Sequence, residues 1–186
     1  MNTFIINRKE VLSVPKILDQ PKEKMTEAAR EILLNEGYKA LTIRRIASVC
    51  NTGVGTVYNY YSSKDTITAA VMLKDWKAIT DELARSLDRL EGIDGIEAIF
   101  NAVRNFSLIY SKVWAEYKDK GRLFEMPYHG MIVKEIMTYA DRFIDQRLKA
   151  EDPFLERFVS ETVLRFAADL KTDFSDIKQI INKLIN

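Results

Sequence analysis

The sequence predicts an all-α protein of about nine helices, a small three-helix head followed by a larger helical body. Three observations carry that expectation. Seven glycines and four prolines in 186 residues leave little room for long loops or many β-turns. Apolar residues recur along the chain at the i, i+3, i+4, i+7 spacing of a buried helical face. With 47% hydrophobic and 30% charged residues, the chain supports a real core beneath a charged helical surface. The expected division is an N-terminal extension over 1–21, the head over 22–67 and the body over 68–186.

The extension, MNTFIINRKEVLSVPKILDQ, is punctuated by Pro15 and then Pro21. Arg8, Lys9 and Lys16 could form a basic arm. Phe4, Ile5, Ile6, Val11, Leu12 and Val14 could instead pack as an apolar segment on the body, and this second reading is preferred. The first helix is expected from Lys22 to Glu36. Met25, Ala28, Ala29, Ile32 and Leu33 mark one buried face, and Gly37 supplies the C-terminal stop.

The stretch from Leu41 to Ile67 reads as two short helices joined by a tight turn, then the start of a third. Thr42 is the N-cap of the first, with Ile43, Ile46, Ala47 and Val49 as its apolar positions. Cys50-Asn51-Thr52-Gly53 breaks the pattern, and Asn and Gly tolerate the left-handed backbone of a turn. The second helix runs over Val54 to Tyr61. Ser62-Ser63 ends it and caps the helix that opens with Lys64 and Asp65. Val57 and Tyr61 lie one turn apart and can face inward, which leaves Thr56, Tyr58, Asn59 and Tyr60 pointing out. From Thr42 through Lys64 there is no acidic residue in a chain that has 27, while Arg44, Arg45 and Lys64 are basic. Hydroxyls, an amide and cations without carboxylates suit a phosphate backbone, and two helices joined by such a turn suit the major groove.

At these residues the sequence resembles the TetR family of bacterial transcriptional regulators. The pattern T-x-x-x-I-A appears as Thr42 and Ile46-Ala47. After the turn come Gly55-Thr56-Val57-Tyr58-Asn59-Tyr60-Tyr61, Lys64 and Ile67, with Gly37-Tyr38 and Leu41-Thr42 matching upstream. The resemblance covers roughly residues 22–67. The turn departs from the family's Ala-Gly-Val-Ser, since Cys50-Asn51-Thr52-Gly53 stands there, and the missing Ser hydroxyl removes one phosphate contact. The resemblance implies that Thr42, Thr56, Tyr58, Tyr60 and Lys64 contact phosphates. It also implies that Arg44, Val54, Gly55 and Asn59 reach base edges, with Arg45 on the same surface.

The helix from Lys64 should run to about Leu90, where Gly92 and Gly95 break it; in the family it is the lever between body and head. A single helix is expected from Ile93 to about Lys118, its apolar stripe wider than one face. Further helices are expected over 121–126, from His129 to about Ala150, from Pro153 to about Leu170, and from Phe174 or Ser175 to near Ile185. Phe100, Val103, Phe106, Tyr110, Trp114, Phe124, Met126, Tyr128 and His129 are the candidates for a small-molecule effector pocket, against the plainer reading that they are core. Phe154, Phe158, Val159, Thr162, Phe166, Ile177, Ile181 and Leu184 offer more apolar surface than one core face needs. By the family resemblance they would form a homodimer interface.

Net charge is +1, but residues 1–65 hold ten Lys/Arg against seven Asp/Glu (+3) and residues 66–186 hold eighteen against twenty (−2). The asymmetry has the sign a nucleic-acid-binding head needs. One Cys and one His leave no disulfide, no usual zinc site and no catalytic triad, so no metal or cofactor is expected. Cys50 reads as a small buried residue rather than a redox sensor. Without an apolar span or secretory signal the expected location is cytoplasmic and off the membrane. The leading expectation is a dimeric repressor, not an enzyme, that binds a double-stranded DNA operator of two-fold symmetry and is released by a small, largely apolar effector. The alternatives are a DNA-binding regulator controlled by a protein partner, or a helical enzyme or binding module whose head is vestigial.

Overall fold

The computed structural model describes residues 20–118 and 129–186. Among them are ten α-helices, one 3-10 turn and no strand. The head holds α1 (Pro21–Glu36), α2 (Ile43–Val49) and α3 (Val54–Tyr60). Next come α4 (Lys64–Leu87), α5 (Gly92–Ile109), α6 (Ser111–Lys118), α7 (His129–Ala140), the 3-10 turn Asp141–Phe143, α8 (Gln146–Glu151), α9 (Leu155–Ala168) and α10 (Phe174–Ile185). Residues 1–19 of the extension, the segment 121–126 and the pocket candidates Phe124, Met126 and Tyr128 lie outside the described residues. His129 opens α7, its side chain also outside them.

Local chemistry accounts for the boundaries in the head. Gly37 leaves α1 at φ +87° and its N–H closes the last turn onto the Leu33 carbonyl. Thr42 Oγ1 accepts from Arg45 N at 3.1 Å, and Ser63 Oγ accepts from Thr66 N at 3.1 Å, so both side-chain caps are formed. Asn51 takes the left-handed backbone at φ +49°. The interior is one continuous apolar cluster from Met25 in α1 to Ile185 in α10. At its centre α5 packs against α4, α7, α9 and α10, while α1 packs on α4. Each fully buried Leu, Ile or Val contributes roughly 1.5–3 kcal/mol. The expected head–body boundary at residue 67 falls inside α4, which runs unbroken across it.

Four expectations are corrected. The helix from Ile93 to Lys118 is two helices, because Tyr110 takes φ −99°, ψ 16° at the end of α5 and turns its side chain into the core. The helix from His129 to Ala150 is broken at Ile144, whose extended backbone leads to the Asp145 cap of α8. Pro153 precedes rather than opens its helix, which begins at Leu155. Gly95 does not break a helix: it lies buried within α5, where a Cβ would collide with the Phe143 ring. No helix among the described residues is long and apolar enough to cross a membrane.

Candidate nucleic-acid interface

The two short helices are held by a few inward side chains. Ile46 and Ala47 of α2 are buried, and the turn closes with Thr52 N on the Ala47 carbonyl at 2.9 Å. On α3, Val57 is 0% exposed and Tyr61, just past its end, is 2% exposed. Thr26 donates its hydroxyl proton to the Lys22 carbonyl at 2.7 Å, so at the 2.6 Å contact with Tyr61 the phenol is the donor. Tyr61 thereby ties the end of α3 to α1 by a buried hydrogen bond.

The opposite side of α3 faces solvent. Tyr58 is 54% and Tyr60 42% exposed, Val54, Gly55 and Asn59 are exposed, and Thr56 is half-buried. Thr42 and Arg44 are exposed, and among the described residues nothing pairs with the Arg44 guanidinium. Val49, expected inward, is 57% exposed instead: it is the last residue of α2 and, at 3.6 residues per turn, lies roughly 110° round the helix from the inward pair Ile46 and Ala47. Arg45 differs from Arg44: both its terminal nitrogens engage Glu36 in the last turn of α1, Nη1 at 2.7 Å from Oε2 and Nη2 on Oε1. An acidic residue at a helix C-terminus opposes the helix dipole, and Arg45 offsets it while fixing α2 on α1. Lys64 is likewise engaged, its Nζ 3.7 Å from the centre of the Tyr38 ring and 3.0 Å from the Tyr38 carbonyl.

Cys50 closes α2 and is half-buried; burial pushes its thiol pKa up, the opposite of what a redox-reactive thiolate needs. Among the described residues no cluster of three metal-ligating side chains occurs.

The head meets the body at a polar junction that the sequence reading missed. Arg30 Nε of α1 donates to both oxygens of Asp75 on α4, at 2.9 and 2.8 Å, and the Tyr110 hydroxyl donates to Asp75 Oδ2 at 2.8 Å. Burial first, then the hydrogen bond to Asp75, pushes the Tyr110 hydroxyl far above the ordinary phenol range, so it stays a neutral donor. Beside this junction α6 touches the α1–α2 turn. Lys39 N donates to Glu116 Oε2 at 2.6 Å, and Lys112 Nζ reaches the Asn35 carbonyl at 3.3 Å, supplying the cation that the last turn of α1 lacks. One signal for the junction is in the sequence: Asp75 stands four residues after Val71 and one before Trp76, within the apolar stripe of α4.

Of the described pocket candidates, Phe106, Tyr110 and Trp114 come together with Trp76. The Phe106 ring meets Trp76 and Trp114 edge-on at 5.3 and 6.4 Å between centres and packs tilted against Tyr110 at 5.0 Å. Phe100 turns away to pair with Phe174 at 5.2 Å, and Val103 is buried. The Trp76 indole donates to Glu135 Oε2 at 2.6 Å, joining α4 to α7. An open groove of about 670 Å³ lies elsewhere, between the start of α1 and α4, with Thr26, Tyr60 and Leu73 in its lining.

The interface candidates divide. Phe154 at the N-cap of α9 (59% exposed), Phe158 (47%) and the half-buried Thr162 and Phe166 recur every four residues, as do exposed Ile180 and half-buried Leu184 on α10; Phe166 and Leu184 also pack partly against the chain's own core. Val159, Ile177 and Ile181 do not belong with these: they are buried in the chain's own core, on the inward stripes of the same helices.

Residues 25–71 match the family model described as "Bacterial regulatory proteins, tetR family". The HTH-type transcriptional regulator YhgD of Bacillus subtilis (strain 168) is 25% identical over 147 residues, covering 74% of this chain and 77% of that one. UidR of Escherichia coli (strain K12), an HTH-type transcriptional regulator, is 27% identical over 82 residues, 44% of this chain and 40% of its own. The structure of EbrR, a multidrug binding protein complexed with imidazole, superposes with TM-score 0.65 at 10% identity over 91% of this chain and 97% of its own, a likeness of fold.

Proposed function

We propose that this chain, whose residues 25–71 match the tetR-family model, is a DNA-binding transcriptional regulator that acts as a homodimeric repressor of a two-fold operator, released by a small, largely apolar effector. The observation that carries the DNA-binding half is the division of α3. Val57 and Tyr61 anchor it, and its solvent side presents Tyr58, Asn59 and Tyr60 in a stretch without carboxylates. In this reading Arg44, Val54, Gly55 and Asn59 meet base edges. Arg44 is the guanine reader, since an unpaired exposed guanidinium can take O6 and N7 together. Thr42, Thr56, Tyr58 and Tyr60 meet phosphates. Lys64 adds positive charge to the same surface, and Arg45, its charge paired with Glu36, braces α2 beneath it.

The outer stripes of α9 and α10 support an isologous dimer, a symmetry that sets two recognition helices one DNA turn, about 34 Å, apart. The cluster of Trp76, Phe106, Tyr110 and Trp114 is where an apolar effector would enter. To act as a switch the effector must bind the DNA-free orientation of the heads more tightly than the DNA-bound one. Selection of bound duplexes from a random pool tests the reading. A two-fold symmetric motif supports it, and failure to enrich any motif at low salt refutes it.

A further inference from the structure

We infer that Arg30, Asp75 and Tyr110 form a latch that couples the helical body to the DNA-binding head, such that moving Tyr110 off Asp75 frees the head's orientation. The inference rests on the regulator reading above and names the residues that would transmit its signal. Asp75 is a carboxylate with a side chain 12% exposed, on the apolar side of α4. A carboxylate so placed is costly without partners, and its two come from different parts of the chain: Arg30 from the head and Tyr110 from the body.

Tyr110 is placed to move with the body. It is the joint between α5 and α6, so a change in the backbone there moves its ring together with the direction in which α6 leaves. Its ring packs tilted against Phe106, which in turn meets Trp76 and Trp114 edge-on. Anything that wedges those rings apart acts on the hydroxyl that Asp75 holds. Because Trp114 lies on α6, wedging those rings apart would also shift α6 and carry Glu116 away from Lys39 N and Lys112 away from the Asn35 carbonyl. Glu116 approaches the turn closely because residue 37 is glycine; a Cβ there would collide with its carboxylate. Two sets of contacts, one on α1 and one on the α1–α2 turn, thus open or close together, which is how a small shift becomes a discrete one.

The test uses the full-length chain and a duplex that the wild type has selected, with anisotropy titrations at two salt concentrations. Tyr110→Phe keeps the ring and removes the hydroxyl. Duplex affinity should fall about five- to tenfold, as expected for a lost coupling of ordinary size. The slope of affinity against salt should not change, because the phosphate contacts are untouched. In an Asp75→Asn background the same substitution should add nothing. Ser107→Ala is the control: it deletes another buried α5 hydroxyl, one bonded within its own helix to the Val103 carbonyl at 2.9 Å, and should leave affinity unchanged. Equal affinity for wild type and Tyr110→Phe, or an equal loss with Ser107→Ala, overturns the latch. If the wild type selects no duplex, the regulator reading fails instead, and hydrogen exchange still decides the latch. Tyr110→Phe should then speed exchange in α1 and α2 relative to α9, and an unchanged ratio overturns it.

Discussion

Truncating Val57 to alanine tests how the recognition surface is held. Val57 is 0% exposed at the middle of α3, a helix of seven residues that packs chiefly on α2. A helix this short has no independent stability, so its order depends on the few side chains it buries. Val57→Ala removes two buried methyl groups at about 0.8 kcal/mol each, and the residual cavity brings the cost to about 2 kcal/mol. If α3 opens locally while the body stays folded, that cost falls on the opening equilibrium of α3 alone. At 1.4 kcal/mol per factor of ten, amide exchange from Val57 to Tyr61 should quicken about thirtyfold. The assay is hydrogen exchange by NMR on wild type and variant under identical conditions, with amides of α5 and α9 as the internal reference. Unchanged exchange in α3 would refute the claim that Val57 anchors it. Equal acceleration in α3, α5 and α9 would refute the separate opening of the head.

Four other outcomes are expected. Arg44→Ala should cost about 1–3 kcal/mol on the selected operator and relax the preference at one base pair, measured by anisotropy on single-substitution duplexes; equal losses on operator and random DNA contradict its role as a base reader. Gly95→Ala should lower stability by about 1–3 kcal/mol in urea, because the new Cβ drives against the Phe143 ring; an unaltered midpoint would contradict that contact. Cys50 should react with iodoacetamide more slowly than free cysteine at pH 8, its rate still rising with pH above the free thiol's range, since a raised pKa withholds the thiolate; faster reaction would contradict the burial argument. Phe158→Glu should convert the proposed dimer to a monomer in sedimentation without loss of helicity, and an unchanged mass would exclude the outer stripe of α9 from the proposed interface.

The head was legible in the sequence because its determinants are local. Thr42 and Ser63 are caps, Gly37 and Asn51 are the residues that accept positive φ, and the spacing of Val57 and Tyr61 marks the inward side of α3. What escaped depends on partners distant in sequence. The apolar stripe runs through Tyr110 without a Gly or Pro, so nothing local announces that the helix turns there; Asp75, 35 residues away, holds the hydroxyl. Arg45 and Lys64 read as free cations until the fold brings Glu36 and Tyr38 to them. On α9 and α10 both faces are apolar, and only the packed structure sorts Val159, Ile177 and Ile181 inward from Phe154, Phe158 and Ile180 outward.

The central claim is that the solvent side of α3, with the start of α2, is what meets a duplex. The most direct measurement is the exchange footprint of a selected duplex on the full-length chain. Slowed exchange should concentrate in Thr42–Arg45 and Val54–Lys64. Protection centred on α9 and α10, or no change at Tyr58, Asn59 and Tyr60 in the presence of saturating duplex, would contradict it.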